Sequence, residues 1–237
     1  MTMGQGIFIS FEGGDGAGKT TQAALLGQWL EAEGYKTLVT REPGGTPLGK
    51  RVRQMLLHGG EVAPRAEALL YAADRAQHVA TLIRPALADG AIVITDRYID
   101  SSIAYQGAGR ELSGIREISE WATGGLWPDI TVLLDMPADI GLRRASKHTG
   151  ADRIEAEGCQ FHQEVRDKFL EMAKAESARY QVVDAAGTPE EIAQKVREVI
   201  APKLAGLRLT GTPGPAGAAG PAEAPAGLAG IPESGQL

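Results

Sequence analysis

Gly13-Gly14-Asp15-Gly16-Ala17-Gly18-Lys19-Thr20 stands between an apolar run, Ile7-Phe8-Ile9-Ser10-Phe11, and a segment from Thr20 to Glu33 with Ala23, Ala24, Leu26 and Leu30 at helical spacing. It fits G-x-x-x-x-G-K-[ST] in the strand–turn–helix context that this motif requires. Glycines let backbone N–H groups turn inward and approach phosphate oxygens. A helix starting near Lys19 adds the positive end of its dipole. Lys19 has the reach for β- and γ-phosphates, and the Thr20 hydroxyl stands where it can ligate Mg²⁺. The motif predicts a Mg²⁺–nucleoside triphosphate site over Gly13, Gly14, Asp15, Gly16, Ala17, Gly18, Lys19, Thr20 and Thr21. What receives the phosphoryl group is not written in it. Asp96, ending the apolar run Ala91-Ile92-Val93-Ile94-Thr95, is the second candidate Mg²⁺ ligand; a polar residue leaving a strand is the plainer reading.

Strand-like and helix-like segments alternate along the rest of the chain. Thr37–Thr40, Ala91–Thr95, Ile130–Leu134 and Gln181–Val183 read as further strands. Leu48–Leu57 reads as a short helix, and Pro64 opens a long helical pattern toward Ala88 with a break at Pro85. Pro137–Lys147 and Glu157–Ser177 read as helices joined by a polar loop. The last helix starts with a capping box, Thr188 to Glu191, with Pro189 in its first turn. This alternation predicts an α/β fold: a five-stranded parallel sheet with helices on both faces. From Gly211 to Leu237, 19 of 27 residues are Gly, Pro or Ala. Such a segment has little apolar surface to offset its ordering entropy, so a globular domain over 1–205 and a disordered tail over 206–237 are expected.

Composition excludes several classes. The 237 residues suffice for a sizeable core. Cys159 is the only cysteine, which rules out a disulfide framework and fits a reducing compartment. The net charge of −6 argues against duplex nucleic acid as a partner. No apolar run approaches the roughly 18 residues of a membrane span, and the N-terminus has no signal-peptide pattern, so a cytoplasmic location is expected. His58, His148 and His162 show no metal spacing, and Trp29, Trp121 and Trp127 read as packing residues.

Longer strings carry a resemblance. Phe11 to Gln22, Thr40-Arg41-Glu42-Pro43-Gly44-Gly45-Thr46, Tyr71-Ala72-Ala73-Asp74-Arg75-Ala76-Gln77-His78, Asp96-Arg97-Tyr98, Ser101-Ser102, Ala104-Tyr105-Gln106-Gly107 and Asp152-Arg153-Ile154-Glu155 resemble the thymidylate kinase family, from about Gly6 to Ile200. The resemblance implies the P-loop NTPase fold and phosphoryl transfer from ATP to dTMP with Mg²⁺, in a homodimer. It assigns Arg97 to the acceptor phosphate, where a guanidinium can fork onto two oxygens; an Arg–Asp surface pair is the plainer alternative. Tyr71 and Arg75 share a helix face at i, i+4. Spacing alone favours a buried Tyr71 and a solvated Arg75; the resemblance gives them base stacking and the O4 carbonyl. Most members carry Phe at Tyr71. Ser102 is implied near the base edge, Tyr105 against a 2′-hydroxyl, and Asp15 near the acceptor's 3′-hydroxyl. Arg53 is a further phosphate-contact candidate, and Arg41 a weaker one.

The loop positions Asp15, Gly16 and Ala17 hold no arginine, so the resemblance is to members with basic residues in a lid, here about 143–156. Arg143 and Lys147 share a face at i, i+4 with Arg144 rotated away, and Arg153 follows the polar loop. Lys19, Arg97, Arg153 and Arg143 are the expected catalytic residues, with Arg153 closing over the transferring phosphate. The alternatives are a P-loop kinase for another nucleoside or monophosphate, and a nucleotide switch without turnover. A partner-binding tail is a third.

Overall fold

The computed structural model describes residues 6–146, 153, 154 and 156–208. Lys147, the polar loop 148–152, Glu155 and the expected tail beyond Arg208 lie outside the described residues.

Five strands, β1 (Ile7–Glu12), β2 (Thr37–Arg41), β3 (Ile92–Asp96), β4 (Ile130–Asp135) and β5 (Tyr180–Asp184), form one sheet in the order β2-β3-β1-β4-β5. Every pairing is parallel, with Ile9 opposite Ile94 on one side and Ile130 on the other. β1 is buried along its whole length, as a strand covered on both faces must be. Its side chains alternate. Phe8 joins Val93, Leu133 and Phe169 on one face; Ile7, Ile9 and Phe11 join Leu26, Leu30, Val196 and Ile200 on the other. Helices α1 (Lys19–Ala32) and α9 (Pro189–Arg208) cover the second face. The first lies under α2 (Pro47–His58), α3 (Pro64–His78), α4 (Arg84–Ala88) and α8 (Cys159–Ala175).

The expected five-stranded parallel sheet with helices on both faces is therefore present; the order of its strands is supplied by the structure. The capping box is made: Thr188 N–H donates to Glu191 Oε2 at 2.9 Å, and Glu191 N–H to Thr188 Oγ1 at 3.3 Å. α9 passes through the expected boundary at 205 and runs to Arg208. The break expected at Pro85 has a specific form. A π-helical turn, Val79–Ile83, separates α3 from α4, and Arg84 N–H reaches back five residues to Val79 O. Pro85 has no N–H to continue the regular ladder, and a widened turn accommodates that loss.

The stretch 99–123 has no element expected from the sequence. It contains α5 (Ile99–Ser102), a π-helical segment Ile103–Gly109, and α6 (Ile115–Thr123), whose ends are glycines in left-handed conformation, Gly114 and Gly124. α7 (Ala138–Ala145) completes the set. One packing expectation fails: Trp121 on α6 is 83% exposed.

The strand order places the site. The chain leaves β1 toward β2, and leaves β3 toward β4 on the opposite side of β1. A crevice opens at such a switch, outside the carboxyl ends of the strands. Gly13 follows β1 there, and Arg97 follows β3.

Candidate active site

The loop after β1 turns sharply, with Gly13 at φ 136°, Gly16 at 73° and Gly18 at 89°. These are backbone conformations that favour glycine. Gly16 has a second constraint: a Cβ there would collide with the carbonyl of Gly141 on α7. Lys19 Nζ donates to Gly14 O at 2.7 Å. The side chain is buried, which lowers its pKa to about 8 with help from Arg97, against the opposing pull of Asp15 and Asp96. Thr20 Oγ1 donates to Asp96 Oδ2, so the two expected metal ligands are neighbours. An oxygen pair of one hydroxyl and one carboxylate suits Mg²⁺, a hard cation that keeps phosphates and water as its other ligands.

Arg97 adopts φ 71°, a left-handed conformation that is uncommon for a residue with a Cβ. That turn aims the guanidinium back at the loop. It donates to Gly13 O (3.2 Å), Ser101 Oγ (3.0 Å), Tyr105 Oη (3.2 Å) and Asp15 Oδ1. Tyr105 Oη donates to Asp15 Oδ2 at 2.8 Å. Burial raises the Asp15 pKa, but Arg97 and Lys19 outweigh it and hold the carboxyl below the ordinary range. Beneath Arg97 lies Glu12, fully buried, accepting from Tyr98 N–H (2.8 Å) and Ser101 Oγ (2.6 Å). Ser101 thus relays Glu12 to Arg97.

On α3, Arg75 is not solvated. It is 2% exposed and nearly saturated. Nε donates to Glu42 Oε2 (2.8 Å), Nη1 to Ser119 Oγ (3.2 Å), and Nη2 to Tyr98 O (3.2 Å) and Ser102 Oγ (3.0 Å). Four of its five N–H donors are engaged, leaving one. Glu42 also bonds His78 Nδ1 at 2.8 Å, and Glu42-Pro43 is a cis peptide. Tyr71 lies on the same helix, half-buried.

One cavity of about 760 Å³ joins these parts. Lys19, Thr20, Thr21 and Asp96 line it together with Asp15, Arg53, Tyr71, Arg75, Arg97, Ser102 and Tyr105. All the expected acceptor-side residues therefore meet the loop across one space. Gly13 and Gly14 do not line it; their carbonyls accept from Arg97 Nη1 and Lys19 Nζ. Residues with no expected site role also face the cavity: Pro43, Gln106, and Gly187, Pro189 and Ile192 before and within α9. Gln106 stood in a quoted string, and its place beside Tyr105 was the available signal.

Two of the expected lid residues are placed away from the cavity. Arg143 is paired with Asp139 at 2.9 Å, its side chain 66% exposed, away from the cavity. Arg144 is the helix residue that lines the cavity, and it donates to Ala185 O at 3.2 Å. The reason is the docking of α7: Gly141 and Ala145 face the loop, which brings Arg144 round with them. Arg153 is also turned away. Its Nε donates to Leu56 O (2.9 Å) and its Nη2 to Glu67 Oε2, while its neighbour Ile154 takes the place on the cavity wall.

The thymidylate kinase family model matches residues 11–196. A thymidylate kinase of Clavibacter michiganensis subsp. michiganensis is 58% identical over 196 residues, 81% of this chain and 93% of the relative. One from Synechococcus is 50% identical over 200 residues, 84% and 96% of the two chains. The solved thymidylate kinase of Ehrlichia chaffeensis superposes with a TM-score of 0.69 at 34% identity, covering 83% of this chain and 99% of that one. With the family model running from the phosphate-loop strand into the last helix, and relatives at 50% and 58% identity matched along nearly their whole length, the chain belongs to the thymidylate kinase family.

Proposed function

We propose that the chain transfers the γ-phosphoryl group of ATP to dTMP, giving ADP and dTDP, by in-line displacement within the described cavity. The single observation that carries this reading is the continuous space between Lys19–Thr20 and the acceptor residues Arg97, Arg75 and Tyr71. An oxygen of the acceptor phosphate forms the new bond to the γ-phosphorus. The bond to the β–γ bridging oxygen breaks, and its electron pair leaves on ADP. The acceptor oxygen is already ionised, so positioning and charge neutralisation are the protein's main tasks.

The loop N–H groups and Lys19 hold the donor phosphates. Arg97 holds the acceptor phosphate, its guanidinium aimed by Asp15, Ser101 and Tyr105. Arg53, which donates to Pro43 O at 3.2 Å, stands on the same wall as a further phosphate contact. Tyr71 stacks on the base, and the remaining N–H of Arg75 meets a base carbonyl. Ser102 sits at the base edge, and the Tyr105 ring crowds a 2′-hydroxyl. Arg144 serves the donor nucleotide, replacing Arg143 and Arg153 in the roles first expected of them. Thr20 and Asp96 would hold Mg²⁺, which would supply charge neutralisation on the transferring phosphates.

We also infer a homodimer. α3 packs against both α2 and α6, and each of these neighbouring helices carries an exposed large apolar residue, Met55, Leu69 or Trp121, which supports pairing through this side of the molecule. The chain acts in the cytoplasm, where its lone exposed Cys159 stays reduced; among the described residues no helix is long and apolar enough to cross a membrane. The kinase-like unit extends to the end of α9 at Arg208, and the Gly/Pro/Ala-rich stretch that follows it in the sequence is a tail.

The test is ADP release from ATP–Mg²⁺ with dTMP, dUMP, UMP, CMP, AMP or thymidine as acceptor. Strong stimulation by dTMP and little by UMP is expected. Equal stimulation by several monophosphates would overturn the base-site roles, and no acceptor-dependent release would overturn the kinase reading.

A further inference from the structure

Glu67 on α3 is a carboxylate sealed from solvent, 1% exposed, in a part of the structure that the proposed reaction does not touch. Both oxygens are engaged. Oε1 accepts from Gln106 Nε2 at 2.9 Å, and Oε2 from Arg153 Nη2. Arg110 Nε stands 3.7 Å from Oε1 and its Nη1 is 2.7 Å from Glu157 Oε1. The four charges balance, two acidic and two basic, which is the condition for burying a carboxylate at tolerable cost.

The cluster touches the cavity only through its outer members. Gln106 lines the cavity, and so does Ile154, the residue that follows Arg153. Glu67, Arg110 and Arg153 do not line it. A carboxylate only accepts hydrogen bonds, so the Gln106 amide must present its NH₂ to Glu67 and turn its carbonyl oxygen the other way. Likewise the Arg153 anchor, held by Glu67 and by Leu56 O at 2.9 Å, fixes where Ile154 enters the wall. Two wall residues from distant parts of the chain are thus referred to one buried group.

We propose that Glu67 is a positioning residue for the acceptor half of the site, acting through Gln106 and through the Arg153 anchor. The proposal rests on the reading of the acceptor site given above. It also assigns Arg153 a definite role: an anchor on α3, which keeps the end of the lid segment in register with the acceptor wall.

The experiment compares Glu67→Gln, Arg153→Met and the double variant in steady-state assays, varying dTMP and ATP separately. Glu67→Gln keeps the size of the side chain but removes the charge facing Arg153 and the constraint on the Gln106 amide. Expected is a rise in KM for dTMP of about 10-fold, the scale of one lost charged hydrogen bond, with KM for ATP changed by less than about 2-fold. Arg153→Met is expected to show the same acceptor-side bias, and the double variant to fall well short of the product of the two effects. Equal changes in both KM values, or a lowered melting temperature with unchanged kinetics, would overturn the proposal. Should Glu67→Gln fail to fold, Arg153→Met decides alone, since its side chain is partly exposed. A fall in kcat at unchanged KM for dTMP would place Arg153 at the reacting phosphates and refute the anchor. The unaltered chain separates the two levels: dTMP-dependent ADP release with normal Glu67→Gln kinetics sinks only this inference, whereas no dTMP-dependent release sinks the acceptor reading as well.

Discussion

Replacing Glu42 with alanine will leave the Arg75 guanidinium charged, 2% exposed, and without its partner at 2.8 Å. Glu42 is itself 2% exposed and also holds His78 Nδ1 at 2.8 Å. Breaking a buried pair by removing one partner costs about 3–5 kcal/mol, because the remaining charge stays desolvated. For a domain of this size about 2–4 °C of melting temperature goes with each kcal/mol, so a drop of about 6–20 °C is expected. Glu42→Gln keeps one acceptor oxygen and should cost less, about 1–3 kcal/mol. Adding Arg75→Met to Glu42→Ala removes the stranded charge, so the double variant should lose much less than the sum of the single losses. The assay is urea unfolding at unchanged m-value, paired with KM for dTMP, which should rise while KM for ATP stays put. A loss below about 1 kcal/mol for Glu42→Ala, or a double variant at or beyond the sum, would refute the claim that the pair is buried and coupled.

Three further outcomes are expected. Arg97→Met should lower kcat/KM for dTMP by about 10²–10³-fold, the scale of losing one preorganised donor to a charged transition state, and a change under about 10-fold would take Arg97 off the acceptor phosphate. Tyr105→Phe removes a hydroxyl bonded to Asp15 at 2.8 Å and should cost about 1 kcal/mol in kcat/KM while leaving dTMP preferred over UMP; Tyr105→Ala should erode that preference, and an unchanged preference would assign it elsewhere. The Lys19 pKa is lowered by burial to about 8, so between that value and the ordinary 10.5 the unfolded chain binds more protons, and this group's contribution makes folding stability rise with pH across that window. Binding of ATP, which favours the charged ammonium, should therefore take up a proton above about pH 8 and weaken as pH rises further. Calorimetry at about pH 8.5 in buffers of different ionisation enthalpy measures the uptake, and none would contradict the depressed pKa.

Local signals carried most of the fold. Alternating runs of apolar residues located all five strands, and the loop motif, the capping box and the break near Pro85 are decided by residues within a few positions of one another. The segment from Ile99 to Gly109 was not legible, because a π-helical turn carries no regular apolar period and Gly107 and Gly109 argue against a helix. The residues expected on the acceptor side were legible only as strings, and their convergence on one cavity follows from the reversal of strand order at β1.

What the sequence by itself determined is the chemistry on offer: a phosphate loop, an oxygen pair at Thr20 and Asp96, and arginines and aromatics at fixed spacings. Only the tertiary structure decided which side chains are spent on one another. Arg75, read from spacing as solvated, is held by Glu42, 33 positions away, and Arg153 by Glu67, 86 positions away. Helix spacing paired Arg143 with Lys147, but the docking of Gly141 against the loop set which face turns inward, and it brought Arg144 to the cavity. Trp121, a packing residue by type, stands exposed because α6 meets α3 with its other face. Spacing along a helix fixes which residues share a face; what that face meets depends on contacts between residues far apart in the chain, which no local pattern encodes.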